Sequence, residues 1–243
     1  MAKTLFEAIG YRLGQKAAQA KNAFDLMGGS EEESLRAEIR LGRDLAAAVL
    51  ERIPLIEENV TTRFVAQIAS WLAASVKEKK LPFSVQVTAE PEPNALALPG
   101  GPVFVSWPLL EMCQSQRDEI AFLLGHEMAH IVRRLALDRI IKDAALSLLL
   151  RQSSGKNAAS AWLGKAGRQL LSRAYSREDE LDADAFAVAL VGTAGGDALA
   201  GERLLEKLAQ GTLVQSVGIT GDYFATHPSP LERVANLRAK RQS

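Results

Sequence analysis

Two histidines and a glutamate in the segment GHEMAH, residues 125–130, have a spacing that suits a metal site. On an α-helix, residues four apart lie one turn above each other, so His126 and His130 can direct both imidazoles at one ion. Glu127 is rotated by about 100° from His126, which brings its carboxylate beside the ion, where it can act on a water molecule. The pattern therefore predicts a zinc site with Glu127 as general base. The alternative is an HExxH sequence that arises by chance on a surface helix.

A third ligand is needed, because catalytic zinc usually takes three protein ligands. His227 is the one remaining histidine, so carboxylates are the main candidates, and the segment SREDELDADAFAV at 176–188 supplies five. Glu180 and Asp184 are four apart on one helix face, which suits a metal ligand followed by an acceptor for a ligand histidine N–H. Arg177 lies one turn earlier, and we assign it a supporting role. The alternative is a solvated acidic helix.

The elements that must position these residues follow from the hydrophobic periodicity. A 3.6-residue period indicates helices at 3–24, 31–52, 61–80, 139–151 and 157–174, and a helix with Ser115 as N-cap that carries the HExxH residues. A two-residue period indicates strands at 83–89 and 98–106, and the proline-bordered segment 94–98 is typical of a sheet edge. We therefore predict a predominantly helical α+β fold with a small mixed β-sheet beside the HExxH helix.

Composition restricts the class of protein. The chain has 243 residues, 47% of them hydrophobic, which is enough for one large domain. Lysine plus arginine and aspartate plus glutamate number 29 each, so no net charge favours nucleic acid as a partner. The single cysteine, Cys113, excludes an intramolecular disulfide. No segment has the pattern of a signal peptide or a transmembrane helix, so we expect a cytoplasmic protein, or a periplasmic one if a signal has been removed.

Four segments resemble motifs of one metallopeptidase family and follow each other in the order typical of that family. They are NALALPGGPVFVS (94–106), GHEMAH (125–130), SREDELDADAFA (176–187) and THPSPLERV (226–234), which resemble its edge strand, zinc helix, SRxxExxAD helix and HPSxxxR segment. On these motifs the chain is similar to the HtpX-like and CAAX-prenyl-protease-like zinc metallopeptidases, a branch of the gluzincins. The resemblance covers about residues 60 to 240 and includes all three histidines.

This resemblance implies a zincin-like fold and one Zn²⁺ per chain. It implies that His126, His130 and Glu180 are the zinc ligands and that Glu127 is the general base. Asp184 matches the aspartate that orients a ligand histidine in the family.

The remaining site residues are also implied by the resemblance. His227 and Arg233 match positions near the active site, where the histidine stabilises the oxyanion or, in some members, caps the zinc. Asn94, Ala95 and Leu96 match the edge strand that pairs with an extended substrate. The alternative for His227 is a histidine at the entry to a helix, without a catalytic role.

The predicted function is that of a zinc endopeptidase that hydrolyses peptide bonds of extended or unfolded protein substrates. Residues 1–58 would form a helical scaffold or lid for a metallopeptidase domain at 59–243, as one compact unit. The alternative is a zinc-stabilised chaperone-like or binding module in which His227 closes the metal site. An aminopeptidase would need an acidic anchor for the substrate amino terminus, and the sequence has no motif for one.

Overall fold

A computed structural model describes residues 30–51, 53–76, 81–138, 175–214 and 227–242. The helices and strands named here are α1 (Glu31–Leu50), α2 (Val60–Ala73), β1 (Ser84–Thr88), β2 (Ala95–Ala97), β3 (Pro102–Ser106), α3 (Trp107–Met112), α4 (Arg117–Val132), α5 (Arg177–Thr193), α6 (Ala200–Val214) and α7 (Pro230–Gln242). The predicted helices at 3–24, 139–151 and 157–174 lie outside the described residues. The predominantly helical α+β class is confirmed.

The three strands form one mixed sheet in the order β1-β3-β2. β1 pairs with β3 in parallel, from Ser84 opposite Pro102 to Thr88 opposite Ser106. β2 pairs with β3 antiparallel and lies at the edge, as its bordering prolines predict. The small mixed sheet is therefore confirmed.

Helices cover both faces of this sheet. Successive side chains of β3 point to opposite faces, so Phe104 faces one way and Val103 and Val105 the other. Val103 and Val105 join the main core with α2 and α4, which places the HExxH helix beside the sheet as predicted. On the Phe104 side, a second apolar cluster joins α1 to the sheet and to the chain after α4; its members are Leu41, Leu45, Val49, Ile53, Leu98, Phe104 and Leu137.

The beginnings of the helices match the sequence in most places. Side-chain capping boxes start α1 at Ser30 with Glu33, and α5 at Ser176 with Asp179. The predicted N-cap at Ser115 is wrong: Ser115 has a left-handed φ of 58°, and α4 begins at Arg117 without a side-chain cap.

α2 also differs from its prediction at 61–80. It begins one residue earlier, after a capping box formed by Asn59 and Thr62, and it already ends at Ala73. Residues 77–80 lie outside the described residues.

α4 lies in the interior of the molecule. All of its residues from Glu119 to Ile131 are buried, so the interpretation of GHEMAH as part of a surface helix is wrong. Polar side chains in such surroundings are unfavourable unless a partner satisfies them. Among the described residues, no helix is both long enough and apolar enough to cross a bilayer.

Candidate metal centre and active site

Four side chains on three segments bring possible ligand atoms together. His126 and His130 come from α4, Glu180 from the first turns of α5, and His227 from the segment before α7. One ligand atom from each lies within 4.8 Å of the others. Glu180 is fully buried, which excludes a solvated acidic helix as the explanation of this carboxylate.

The distances between the ligand atoms of three of these residues fit a zinc ion. His126 Nε2 lies 3.2 Å from His130 Nε2 and 3.4 Å from Glu180 Oε2, and His130 Nε2 lies 3.5 Å from Glu180 Oε1. A tetrahedral site with bonds of about 2.0–2.1 Å separates its ligand atoms by about 3.3 Å. Glu180 Oε1 is also buried without a hydrogen-bond partner among the described residues, which suits an atom that binds a cation.

His126 is held from behind by a buried ionic group. Its Nδ1 lies 2.9 Å from Asp184 Oδ1, one turn after Glu180 on α5. Arg233 of α7 makes a bidentate pair with Asp184, with Nε 2.9 Å from Oδ2 and Nη2 2.6 Å from Oδ1. All three side chains are at least 99% buried, with exposed fractions of 0%, 0% and 1%. The arrangement fixes the ring and leaves Nε2 to face the other ligands.

Arg233 therefore lies on the far side of the His126 ring from the ligand atoms. Its Nη2 is 3.2 Å from His126 Nδ1, not beside Nε2. The predicted catalytic role at the oxyanion does not match this position, because the guanidinium is committed to Asp184. Arg233 is a positioning residue in this structure.

The other ligand histidine has different surroundings. His130 Nδ1 is buried without a hydrogen-bond partner among the described residues. The His130 ring instead stacks on Tyr175, with ring centroids 4.0 Å apart and an interplanar angle of 12°. Tyr175 immediately precedes the N-cap of α5, so the start of this helix supports both ligand histidines.

The charges of the two histidines differ accordingly. Burial and Arg233 oppose protonation of His126, but hydrogen bonds to Asp184 and Glu180 outweigh them and raise its pKa to about 9. Burial, with His126 as a positive neighbour, holds the pKa of His130 well below its usual value. His130 is thus neutral at pH 7, whereas His126 would release its proton on binding a metal ion.

The pKa values of the acidic residues also shift in different directions. Burial raises the pKa of Glu180 less than hydrogen bonds to His126 and His227 lower it, so it stays well below the usual range. Asp184 is likewise held low, because Arg233 outweighs its burial. Burial raises the pKa of Glu127 to about 7. Its Oε1 has no hydrogen-bond partner among the described residues, so a group near neutral pKa is available beside the ligands.

His227 is the fourth member of the cluster and comes from the segment before α7. Its Nδ1 makes a short contact with Glu180 Oε2, and only 7% of its side chain is exposed. Burial lowers the pKa of His227, although Glu180 opposes this shift. The residue lies where it can either close the metal site or face a reacting group.

Arg177 does not share this cluster. Its Nε pairs with Glu232 at the start of α7, and 65% of its side chain is exposed. The residue joins α5 to α7 at the surface, so its predicted supporting role is limited to the position of these helices.

The backbone N–H and C=O groups of β2 face β3 on one side and the outer edge of the sheet on the other. Asn94 and Leu98 make backbone hydrogen bonds to β3, of 2.9 and 2.8 Å. Bonded pairs alternate along an antiparallel ladder, so Leu96 also faces β3 with its backbone groups. Ala95 and Ala97 direct their N–H and C=O groups outward. Of the three residues predicted to bind substrate, Ala95 alone has this orientation.

The comparison with protein families identifies the family of the chain. Residues 59–241 match the family "Peptidase family M48". The chain belongs to this family. The predicted resemblance to a metallopeptidase family is confirmed.

The following relatives are larger than this M48 chain. The mitochondrial metalloendopeptidase OMA1 of Schizosaccharomyces pombe is 29% identical over 84% of the chain and 61% of its own length. The OMA1 of Arabidopsis thaliana is 31% identical over 66% of the chain and 32% of its own length. The beta-barrel assembly-enhancing protease of Escherichia coli is 25% identical over 84% of the chain and 44% of its own length. The chain thus spans about a third to three fifths of these relatives.

Two residues of the site escaped prediction from the sequence. Tyr175 carries no signal, because a single aromatic residue before a helix has many possible roles. Gly125 did carry one, since an interior helix glycine destabilises a helix by about 1 kcal/mol relative to alanine. A Cβ at Gly125 would lie 3.3 Å from Ala187, so this glycine allows α4 and α5 to approach closely.

Proposed function

We propose that the chain is a zinc endopeptidase that binds one Zn²⁺ through His126, His130 and Glu180 and cleaves extended or unfolded protein substrates. The observation that carries the proposal is the set of three ligand-atom distances of 3.2, 3.4 and 3.5 Å in a chain of peptidase family M48. Zinc held there would act as a Lewis acid and make water a nucleophile at neutral pH.

Glu127 would carry the proton in this reaction. It takes a proton from the attacking water and gives it to the leaving nitrogen of the peptide bond. A general acid-base group works best with a pKa near the pH of reaction, and the pKa of about 7 that burial gives Glu127 satisfies this condition. His227 is the remaining candidate for a hydrogen bond to the oxyanion, because Arg233 is bound to Asp184.

The substrate would add to the sheet as a strand beside β2. Ala95 and Ala97 offer outward N–H and C=O groups at this edge, and main-chain pairing is tolerant of sequence. Only an extended chain can pair in this way, which supports unfolded or extended proteins as the substrate class.

The decisive variant is Glu127→Gln. We expect it to keep one zinc per chain and to lose at least about 100-fold in the rate of casein cleavage, since general acid-base catalysis contributes about 100- to 10,000-fold. Glu178→Gln is the control, because Glu178 is an exposed glutamate on α5. Metal analysis and casein digestion measure both effects, and undiminished cleavage by Glu127→Gln contradicts the proposal.

The placement of His227 favours one second candidate, a metal-stabilised binding module with a closed site. Its ring nitrogen lies within 4.8 Å of the other ligand atoms and can take the fourth position. In His227→Ala, an endopeptidase that His227 closes gains activity, and one that it assists loses activity. A binding module cleaves nothing with or without His227, but it loses thermal stability when a chelator removes its metal.

A further inference from the structure

Helix α1 lies before the M48 match at 59–241, yet it contributes a buried carboxylate close to the substrate edge. Glu38 is 0% exposed. Its Oε1 accepts a hydrogen bond from Gly100 N at 3.2 Å, across 62 residues of sequence. Its Oε2 lies 3.0 Å from Arg134 Nε. Glu38 therefore contacts two segments that are far apart in the chain.

The first of these segments is the turn between β2 and β3. α1 packs so closely against this turn that neither Gly42 of α1 nor Gly100 of the turn has room for a side chain. A Cβ on Gly42 would lie 1.9 Å from Pro99 O, and a Cβ on Gly100 would lie 2.7 Å from Glu38 O. Gly100 also has a left-handed φ of 77°. The position of the turn is thus set by the backbone of α1.

The second segment follows the end of the HExxH helix. Arg134 has a left-handed φ of 53°, and its N–H donates to Ile131 O at 2.9 Å. The arginine is therefore fixed directly behind α4, four residues after His130. Glu38 joins this point to the turn that ends β2.

A buried carboxylate is an unfavourable way to fill space. Its removal from water costs several kcal/mol unless it is paired and hydrogen-bonded, and an apolar side chain would pack at no such cost. The benefit of a charged group here is that Oε1 accepts a hydrogen bond from Gly100 N while Oε2 forms an ion pair with Arg134, and together these contacts fix Gly100 and Arg134 relative to each other.

We propose that Glu38 is a positioning residue that holds the edge strand β2 at its working distance from the metal helix α4. Helix α1 is then part of the substrate-binding unit, which corresponds to the scaffold, and not to the lid, of the two roles predicted for residues 1–58. This inference rests on the proposed function in one respect, the use of β2 as the substrate strand.

The first test is Glu38→Gln, which keeps the side-chain volume and an acceptor for Gly100 N–H but removes the charge. We expect a roughly 10-fold higher KM for casein, with kcat and zinc affinity changed less than twofold. Amide hydrogen exchange over residues 95–101 should become about 10-fold faster. Glu32→Gln is the control, because it breaks an exposed ion pair of 2.6 Å with Arg36 on the same helix, and it should change none of these quantities.

The second test is Arg134→Asn, which changes a side chain that is 40% exposed and places a residue that tolerates left-handed φ. It should reproduce the KM and exchange effects even if Glu38→Gln folds poorly. The double variant should be no worse than either single variant, because both remove one contact.

Unchanged exchange over residues 95–101 in Arg134→Asn overturns the proposal, as does a loss of kcat with unchanged KM. Hydrogen exchange needs no cleavage, so it tests the position of β2 separately from the peptidase activity. Faster exchange together with no cleavage by the unaltered protein would refute the proposed function and leave the role of Glu38 intact.

Discussion

The two histidines of α4 are four residues apart and almost equally buried, with 0% and 1% exposure, yet different kinds of contact orient them. Behind His126, a charged pair of Asp184 and Arg233 fixes Nδ1. Behind His130, Nδ1 has no hydrogen-bond partner among the described residues, and the flat ring of Tyr175 supports the imidazole. The ring of His126 is therefore held by hydrogen bonds and charge, and the ring of His130 by stacking.

This difference has a consequence for protons. Hydrogen bonds to Asp184 and Glu180 raise the pKa of His126 despite its burial, whereas burial and the charge of His126 lower the pKa of His130 although Glu180 is near it. The two pKa shifts therefore have opposite signs. The following three predictions separate the two forms of support, from the largest expected effect to the smallest.

Asp184→Asn should have the largest effect. Loss of the carboxylate behind a ligand histidine typically lowers metal affinity about 10- to 100-fold. It also leaves Arg233, which is 1% exposed, without its counter-charge, and breaking a buried pair costs about 3–5 kcal/mol. Chelator competition measures the zinc affinity, and urea unfolding measures the stability.

Asp182→Asn is the matched control for this variant. Asp182 lies on the same helix, but its carboxylate is 54% exposed and pairs with Arg133 at the surface. The control should bind zinc as tightly as the unaltered protein. Equal zinc affinity in Asp184→Asn would show that the ionic support of His126 has no effect on the metal.

Stability of the chelator-treated protein should fall between pH 7 and pH 9. The pKa of His126 is raised from 6.5 to about 9, so its contribution is complete below pH 6.5 and is lost as the pH rises through 9. The expected loss between pH 7 and 9 is about 2 kcal/mol. His130 contributes nothing in this window, because its lowered pKa affects stability only below pH 6.5.

Urea unfolding at several pH values measures this loss. In Asp184→Asn it should be much smaller, because the carboxylate that raises the pKa is gone. In Tyr175→Ala it should be unchanged. A loss of equal size in Asp184→Asn would assign the titration to another group.

Tyr175→Ala should have the smallest effect, about a 3- to 10-fold loss of zinc affinity, because an aromatic pair contributes about 0.5–1.5 kcal/mol. Tyr175→Phe keeps the stacked ring and should bind zinc within twofold of the unaltered protein. If both substitutions weaken zinc binding equally, the hydroxyl group supports His130 and the stack does not.

Prediction from the sequence succeeded for features that depend on residues within one helix or strand. The spacing of His126, Glu127 and His130 follows from helix geometry, and the edge position of β2 follows from its prolines. The spacing of Glu180 and Asp184 on α5 was equally local, although their approach to α4 required the family resemblance.

Errors and omissions arose where contacts in three dimensions determine the start of a helix or the role of a residue. Ser115 has the composition of an N-cap, but left-handed φ values of 49° at Gln114 and 58° at Ser115 move the start of α4 to Arg117. The role of Glu38 depends on Gly100, 62 residues away, and no local pattern records that contact. Arg233 lies beside His126, but only the fold shows that its guanidinium faces Asp184.

The close approach of α4 and α5 at Gly125 also affects the size of the proposed ion site. The two histidines proposed as ligands lie on one helix and Glu180 on the other, so the separation of the helices would set the radius of ion that they can enclose. A methyl group at Gly125 would have Ala187 atoms at 3.3 Å and would force the helices apart by a few tenths of an ångström. Differences of that size separate the bond lengths of zinc at about 2.0–2.1 Å from those of calcium at about 2.3–2.6 Å. In the proposed zinc site, a residue with no side chain would thus favour the shorter bonds of zinc.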